Sequence, residues 1–339
     1  MKSGIYITMP EDQYHAVEAL GSTSIKALFD DPVEFQYNKL HAEEETESQA
    51  KLLGSAIHKR LLEGRAAFDK TYYCKLDPTG WIEDGALVTV EDLKAWCRAN
   101  GLNVSGKKAD LIERVREADP NQLILEDIVN EHAEANADKI MLTSKQWDRC
   151  DAASEWCQMD ELLGPFMTDG AFTLGLNEVS VFSEIEGVPV KARYDVLAQH
   201  MILDLKSFQP FLNRDPIMAI PYHIKKMNYL LQAGHYLNMW DEAKKLWQAG
   251  QVFGAYPDGF FDKAFDRDRP TWVWCFVKTV GAPQPYVRGF SHESMAMSHA
   301  RQNAREAILF YRQQVEKHGL DVLWPPANRA MELGDEELL

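Results

Sequence analysis

Cysteine is too scarce and too badly spaced to frame this chain. The five residues Cys74, Cys97, Cys150, Cys157 and Cys275 form no CxxC pair and show no Cys/His ligand spacing, so neither a zinc ribbon nor a disulfide scaffold is indicated. They read as buried thiols. Long apolar runs are missing too: nothing approaches the roughly 20 residues that span a bilayer. The amino terminus, MKSGIYITMPEDQYH, lacks the basic start, apolar stretch and small-residue cleavage site of a secretory leader. A cytoplasmic protein with no membrane partner is expected. Positive charge is the third shortage, since 36 Lys and Arg face 52 Asp and Glu for a net charge of −16. That balance opposes nonspecific attraction to a polyanion, so any nucleic-acid role must rest on local patches or on metal ions. Core-forming residues are plentiful: 339 residues at 45% hydrophobic make a globular chain of about two domains, at ~150 residues each.

Residues 1–65 read as mainly helical. STSIKALFDDPVEFQYNKL offers capping candidates at Ser22 to Ser24 and a break at Pro32. AEEETE, Ala42 to Glu47, reads as a solvated acidic connection. QAKLLGSAIHKRLLEG follows as an amphipathic helix stopped by Gly64, with Leu52, Ala56, Ile57 and Leu61 on one face and His58 beside them. The stretch from Val88 to Pro120 is a compositional island: two short helices, about Val90 to Asn100 and Lys107 to Arg116, flank a turn with Gly101 and Gly106. From Val88 to Arg116 six bases meet four acids, a local net of +2.

Helical segments then run to about Phe166, from a cap at Thr143 or Ser144. EVSVFSEIEGVPVKARYDVLA is two alternating runs around Glu186-Gly187, a hairpin signal. MILDLKSF follows as a strand, then a long helix from about Tyr222 to Gln248, the strands TWVWCFVKTV and QPYVRGF, and a helix from about Ser294 to Glu316. This order predicts an α/β fold with a mixed central sheet flanked by helices.

The chemistry concentrates in MILDLKSFQPF. Asp204 and Lys206 lie two apart and project from the same face of a strand, and the apolar Ile202, Leu203 and Leu205 make that strand a buried one. An acid and a base are costly there without a role. Asp195 ends the preceding strand. Antiparallel pairing across the short LAQHM connection brings both carboxylates together, where they repel unless a cation neutralises them, and hard oxygen ligands suit Mg²⁺ or Mn²⁺. Lys206 can position a water, help deprotonate it, or stabilise charge developing on a phosphate. The bland reading of the triplet alone is a surface ion pair.

The order Gly54-x-x-x-His58 in LGSAIHKRLLEG, Glu178 in LNEVSVF, Asp195 in KARYDVL, Asp204-Leu205-Lys206 in ILDLKS, and Gln232-x-x-x-Tyr236 in YLLQAGHYLNMW resembles the PD-(D/E)XK nuclease superfamily. Within it the chain most resembles the RecE-type exonucleases, exodeoxyribonuclease VIII among them. YHAVEALGSTSIKALFDDPVEF, FVKTVGAPQPYVRGF and LDVLWPP extend the likeness over nearly the whole chain outside the island. The resemblance implies a restriction-endonuclease-like sheet and Mg²⁺-dependent hydrolysis of linear duplex DNA with two ions, Mn²⁺ substituting. It implies His58, Asp195, Asp204 and the Leu205 carbonyl as metal ligands, Lys206 orienting the attacking water, and Glu178 assisting a second ion or the water. Gln232 then braces Lys206 or the scissile phosphate, and Tyr236 lies at the DNA. It further implies 5′-to-3′ resection, single-stranded tails for recombination, an annealing protein as partner, a ring-like homo-oligomer and often a phage setting. Tyr194 stands where the family name has proline, and Asp204 where many members have Glu.

The island is similar to a SAP domain, a helix-extended-helix DNA-binding module, through LKAWCRANGL and SGKKADLIERV with Leu93, Leu102, Gly106, Leu111 and Ile112 as core or turn positions. That likeness implies phosphate contacts from Arg98, Lys107, Lys108 and Arg114. The expected organisation is therefore a nuclease domain in two parts, 1–85 and 121–339, around an insert at 86–120. The competing readings are a structure- or site-specific endonuclease on the same fold, and a catalytically silent DNA-binding recombination scaffold.

Overall fold

The computed structural model describes residues 1–41, 48–211, 215–290 and 294–326; the AEEETE connection lies outside them. The chain opens with β1 (Gly4–Tyr6), α1 (Glu11–Ala16), α2 (Ser22–Asp30), α3 (Pro32–Leu40) and α4 (Gln49–Leu62). Next come α5 (Gly64–Thr71), β2 (Tyr72–Cys74), α6 (Thr79–Glu83), α7 (Val90–Ala99), α8 (Lys108–Ala118), α9 (Leu125–Glu134), β3 (Ile140–Leu142) and α10 (Ser144–Met159). The remainder is β4 (Met167–Thr168), β5 (Ala171–Phe172), β6 (Leu176–Ile185), β7 (Val188–Leu197), β8 (Met201–Phe208), α11 (Pro216–Lys226), α12 (Tyr229–Gln248), β9 (Val252–Phe253), α13 (Phe260–Ala264), β10 (Thr271–Lys278), β11 (Pro285–Phe290) and α14 (Met295–His318). Two compact units result: Met1–Glu63 with Ala153–Leu339, and Gly64–Ala152. The second is wider than the 86–120 island. Among the described residues no helix is long and apolar enough to cross a membrane.

The first unit is built on a seven-stranded mixed sheet ordered β11-β10-β8-β7-β6-β1-β9. Its central hairpin joins β6 to β7, and Glu186 (φ 54°) and Gly187 (φ 73°) both take left-handed backbone. A two-residue turn of that kind matches the twist of the flanking strands. β8 runs antiparallel to β7 and parallel to β10, so β8 is covered on both sides and its apolar residues Ile202, Leu203 and Leu205 are buried.

Helix α12 supplies much of the core, through Leu231, Ala233, Leu237, Met239, Trp240 and Ala243. It crosses α14 closely at Gly234, where an added Cβ would lie 2.3 Å from the Ala300 backbone carbon. Sequence periodicity predicts one helix from Tyr222 to Gln248; the structure breaks it at Asn228, whose left-handed φ of 51° caps α12. Likewise α4 ends at Leu62, and Gly64 (φ 81°) opens α5 rather than ending the helical run. β1 is a strand within the segment read as mainly helical, held antiparallel to β6 and parallel to β9.

In the second unit α7 and α8 pack around Leu93, Cys97, Leu111, Ile112, Val115 and Ile124, with Leu102 half-buried against them. Thr89 caps α7 by accepting from the Asp92 N–H, and Asp92 accepts from the Thr89 N–H in return. Four of the cysteines are buried thiols; Cys74 is only partly so.

Candidate active site

Three strands and two helices bring the predicted charged residues together. Gly54 lies where α4 meets β8, and an added Cβ there would sit 2.8 Å from the Ser207 hydroxyl. Its missing side chain lets the helix approach, and His58, one turn further on, shares its face. The His58 ring hydrogen-bonds to the Leu205 backbone. Burial, then the charge of Lys206, lowers the His58 pKa to about 3, against the partial rise from that hydrogen bond. His58 retains some exposed surface, and its ring is neutral and keeps a nitrogen lone pair.

β7 and β8 pair only at Val196↔Leu203 and Leu197↔Ile202. Beyond that point the Leu205 N–H donates at 2.6 Å to Asp195 Oδ2 instead of to backbone. The carboxylate therefore stands in for the next rung of the ladder. Opposite Asp195 on the other side, the β6–β7 register steps from Asn177↔Val196 to Val179↔Tyr194, and Glu178 between them has φ 58°. A non-glycine residue in left-handed backbone inside a strand is strained, and such strain gathers at functional sites. Glu178 forms an ion pair with Arg193, which also donates to Met9 and Ser180.

Asp204 is 1% exposed. Lys206 Nζ lies 2.6 Å from its Oδ2, and Gln232 Nε2 donates to its Oδ1 at 3.1 Å. The ammonium is the close partner of Oδ2, and its charge lowers the Asp204 pKa against burial. Gln232 thus braces Asp204 and not Lys206. Burial, then the Asp204 charge, holds the Asp195 carboxyl well above the usual range. Burial also raises Asp204 and outweighs the lowering by Lys206. For Lys206 burial lowers the pKa, but Asp204 and Asp195 outweigh it and the net shift is upward. With its ammonium 5.0 Å from the centre of the Tyr229 ring, Lys206 is a held cation. A lysine held in this charged form is chemically suited to stabilising an anion rather than to accepting a proton.

A divalent ion fits this donor set in chemistry. Two buried carboxylates repel, and the imidazole beside them is neutral. Among the described residues, however, no three of His, Cys, Asp and Glu are gathered closely enough to form a metal shell. Lys206 supplies the countercharge at Asp204 instead.

Other expected site residues fall elsewhere. Tyr236, expected at the DNA, is 7% exposed and packs edge-on against Tyr194 and Trp272. It is a core residue with little surface to offer a strand, which corrects the expectation. In the second unit Arg98 and Lys107 are exposed. Lys108 pairs with Glu126 at 2.6 Å, and Arg114 donates to the Asn103 and Ser105 carbonyls, pinning the turn between α7 and α8. Sequence reading also passed over Arg193, the partner of Glu178, whose position two residues before Asp195 on the same strand was the available signal.

Residues 86–120 match the family model described as the SAP domain. No curated protein sequence matches the chain. In fold, the chain is similar to a crystal structure from Eubacterium rectale described as a "Putative exonuclease", with TM-score 0.51 and 12% identity over 97% of this chain and 96% of that one. The crystal structure of SSO0001 matches with TM-score 0.21 and 13% identity over 40% of this chain and 49% of that one, too little to support an argument.

Proposed function

We propose that this chain is a metal-dependent deoxyribonuclease of the PD-(D/E)XK kind, RecE-like in design, that hydrolyses linear double-stranded DNA. The observation that carries the reading is the meeting of Asp195, Asp204, Lys206, Gln232 and His58 where β7 and β8 part. Likeness in fold to a protein described as an exonuclease supports it, as does the match of 86–120 to the SAP domain, a DNA-binding module.

In this reading His58, Asp195, Asp204 and the Leu205 carbonyl would hold Mg²⁺ or Mn²⁺, with a second ion toward Glu178. Bound there, an ion neutralises phosphate charge and makes a water more acidic. Gln232 keeps the Asp204 carboxylate aimed, His58 remains unprotonated, and the Lys206 ammonium stabilises negative charge developing on the phosphate. Exposed Arg98 and Lys107 hold duplex DNA through its phosphates without regard to sequence. The reading extends to 5′-to-3′ resection that leaves tails for an annealing partner, by a homo-oligomeric ring.

End-labelled linear duplex with Mg²⁺ tests this, comparing 5′ and 3′ labels. Wild type should digest it and leave a covalently closed circle intact, whereas Asp204→Ala and Lys206→Ala should fold and be inactive. Equal digestion by all three would refute the site, and cutting of the closed circle would make the enzyme an endonuclease. DNA binding without metal-dependent hydrolysis would leave a recombination scaffold.

A further inference from the structure

On the first unit, away from the paired carboxylates, a cavity of ≈ 210 Å³ is lined by Asn238 of α12, Arg269 before β10, and Ser298, Arg301, Gln302 and Arg305 of α14. Three guanidinium groups around one hollow are unexpected in a protein with a net charge of −16. Among the described residues one carboxylate pairs with them: Asp241 pairs with Arg301 and lies 3.9 Å from Arg305. That leaves the group two positive charges in excess.

Asn238 is wholly buried and organises the cluster rather than filling it. Its Oδ1 accepts from Arg301 Nε at 3.1 Å and from Arg305 Nε at 3.4 Å, and its Nδ2 donates to the Arg301 carbonyl at 2.9 Å. The two arginines are one turn apart on α14 and so share a face. Arg301 keeps 13% of its side chain exposed, and its Nη1 is buried with no hydrogen-bond partner. Burial lowers the Arg301 pKa and outweighs the opposing pull of Asp241, with Arg269 and Arg305 adding repulsion. Three guanidinium groups facing one cavity, with one of them crowded by the charges of the other two, make a setting that an anion would relieve. Carboxylate would leave a positive excess; a phosphate monoester carries about two negative charges at neutral pH and offers three acceptor oxygens to planar guanidinium forks.

We propose that this cavity binds a dianionic phosphate group, at a site separate from the carboxylates of β7 and β8. The assignment stands independently of the nuclease reading. Two sources share the chemistry, a free small phosphate and the terminal phosphate monoester of a DNA strand, whereas an internal phosphodiester carries only one charge.

Calorimetric titration of the full chain with inorganic phosphate, in EDTA, tests it. Wild type should bind saturably, one phosphate per chain, and the double variant Arg269→Ala/Arg305→Ala at least about tenfold more weakly. The variant spares Arg301 and its pairing with Asp241, and a thermal melt matched to wild type shows that it folds; Arg305→Lys should recover part of the affinity. A single-stranded oligonucleotide with hydroxyl ends and the same oligonucleotide with a 5′-phosphate separate the sources. Loss of binding confined to the 5′-phosphorylated oligonucleotide and inorganic phosphate assigns a DNA end, loss confined to inorganic phosphate assigns a free one, and equal loss for the hydroxyl-ended oligonucleotide would show that monoanionic diesters fill the site and overturn the dianion assignment. Absence of saturable phosphate binding by wild type, or equal binding by the double variant, overturns the proposal.

Discussion

His235 offers a sharp test of how the site is braced. It is fully buried on α12, one turn after Gln232, and its Nε2 lies 2.9 Å from the Lys191 carbonyl of β7. The ring therefore ties the helix that aims Asp204 to the strand that carries Asp195. Burial lowers its pKa from 6.5 to about 4, more than the Lys191 hydrogen bond raises it. Between those values the unfolded chain binds a proton that the folded chain refuses, so stability falls as pH drops through the window. At pH 5 the unfolded imidazole is almost wholly protonated and the folded one is not; relative to pH 7 this removes about 1.8 kcal/mol. That figure scarcely changes for any folded pKa below about 4.5. His235→Gln keeps a donor for the Lys191 carbonyl and cannot titrate. Urea unfolding of both proteins at pH 7 and pH 5, in EDTA, should show wild type losing about 1.8 kcal/mol more than the variant, with other groups cancelling between them. Equal losses would mean that His235 is protonated or solvated in the native state, and the bracing argument would fail.

Gly234→Val should destabilise the first unit by about 1–3 kcal/mol or more through collision with the Ala300 and Arg301 backbone, read as a lowered urea midpoint. In the second unit Leu111→Ala should cost about 2–5 kcal/mol, since Leu111 is wholly buried; an unchanged melt would refute that core. Lys107→Ala should weaken duplex binding irrespective of sequence and reduce the salt slope by about 0.9. Arg114→Ala should instead loosen the turn held at Asn103 and Ser105, seen as faster amide exchange across residues 101–107.

Hairpin β6–β7 and strand β8 were legible because each rests on local pattern: alternation, and a Glu186-Gly187 pair able to take left-handed backbone. The α7–α8 hairpin was legible for the same reason, through its helical stripe and glycine turn. β1 was not, because three residues are too few to show alternation and its partners on β6 and β9 are distant in sequence. The break at Asn228 carries no Pro or Gly to mark it. In the site, the acids and the lysine could be named from order and spacing. Their arrangement could not: the parting of β7 from β8, the left-handed Glu178 and the grip of Gln232 on Asp204 are tertiary choices. The arginine cavity had only the one-turn spacing of Arg301 and Arg305 to announce it, with Arg269 over thirty residues away.

The parting of β7 and β8 implies that the sheet is less stable with its acids than without them. Asp195 replaces a backbone acceptor with a carboxylate, and its pKa is raised by burial and then by Asp204. Here the folded chain holds a proton that the unfolded chain releases above about 3.8, so this group's contribution to stability falls as pH rises. Asp195→Asn removes that charge while an amide oxygen can still accept from the Leu205 N–H. In EDTA the variant should therefore melt above wild type at pH 7, with the gap closing as pH falls toward 4, while the metal-dependent hydrolysis proposed for the site is lost. A variant that melts below wild type at pH 7 would show that Lys206 fully compensates both carboxylates, removing the electrostatic reason for a cation at this site.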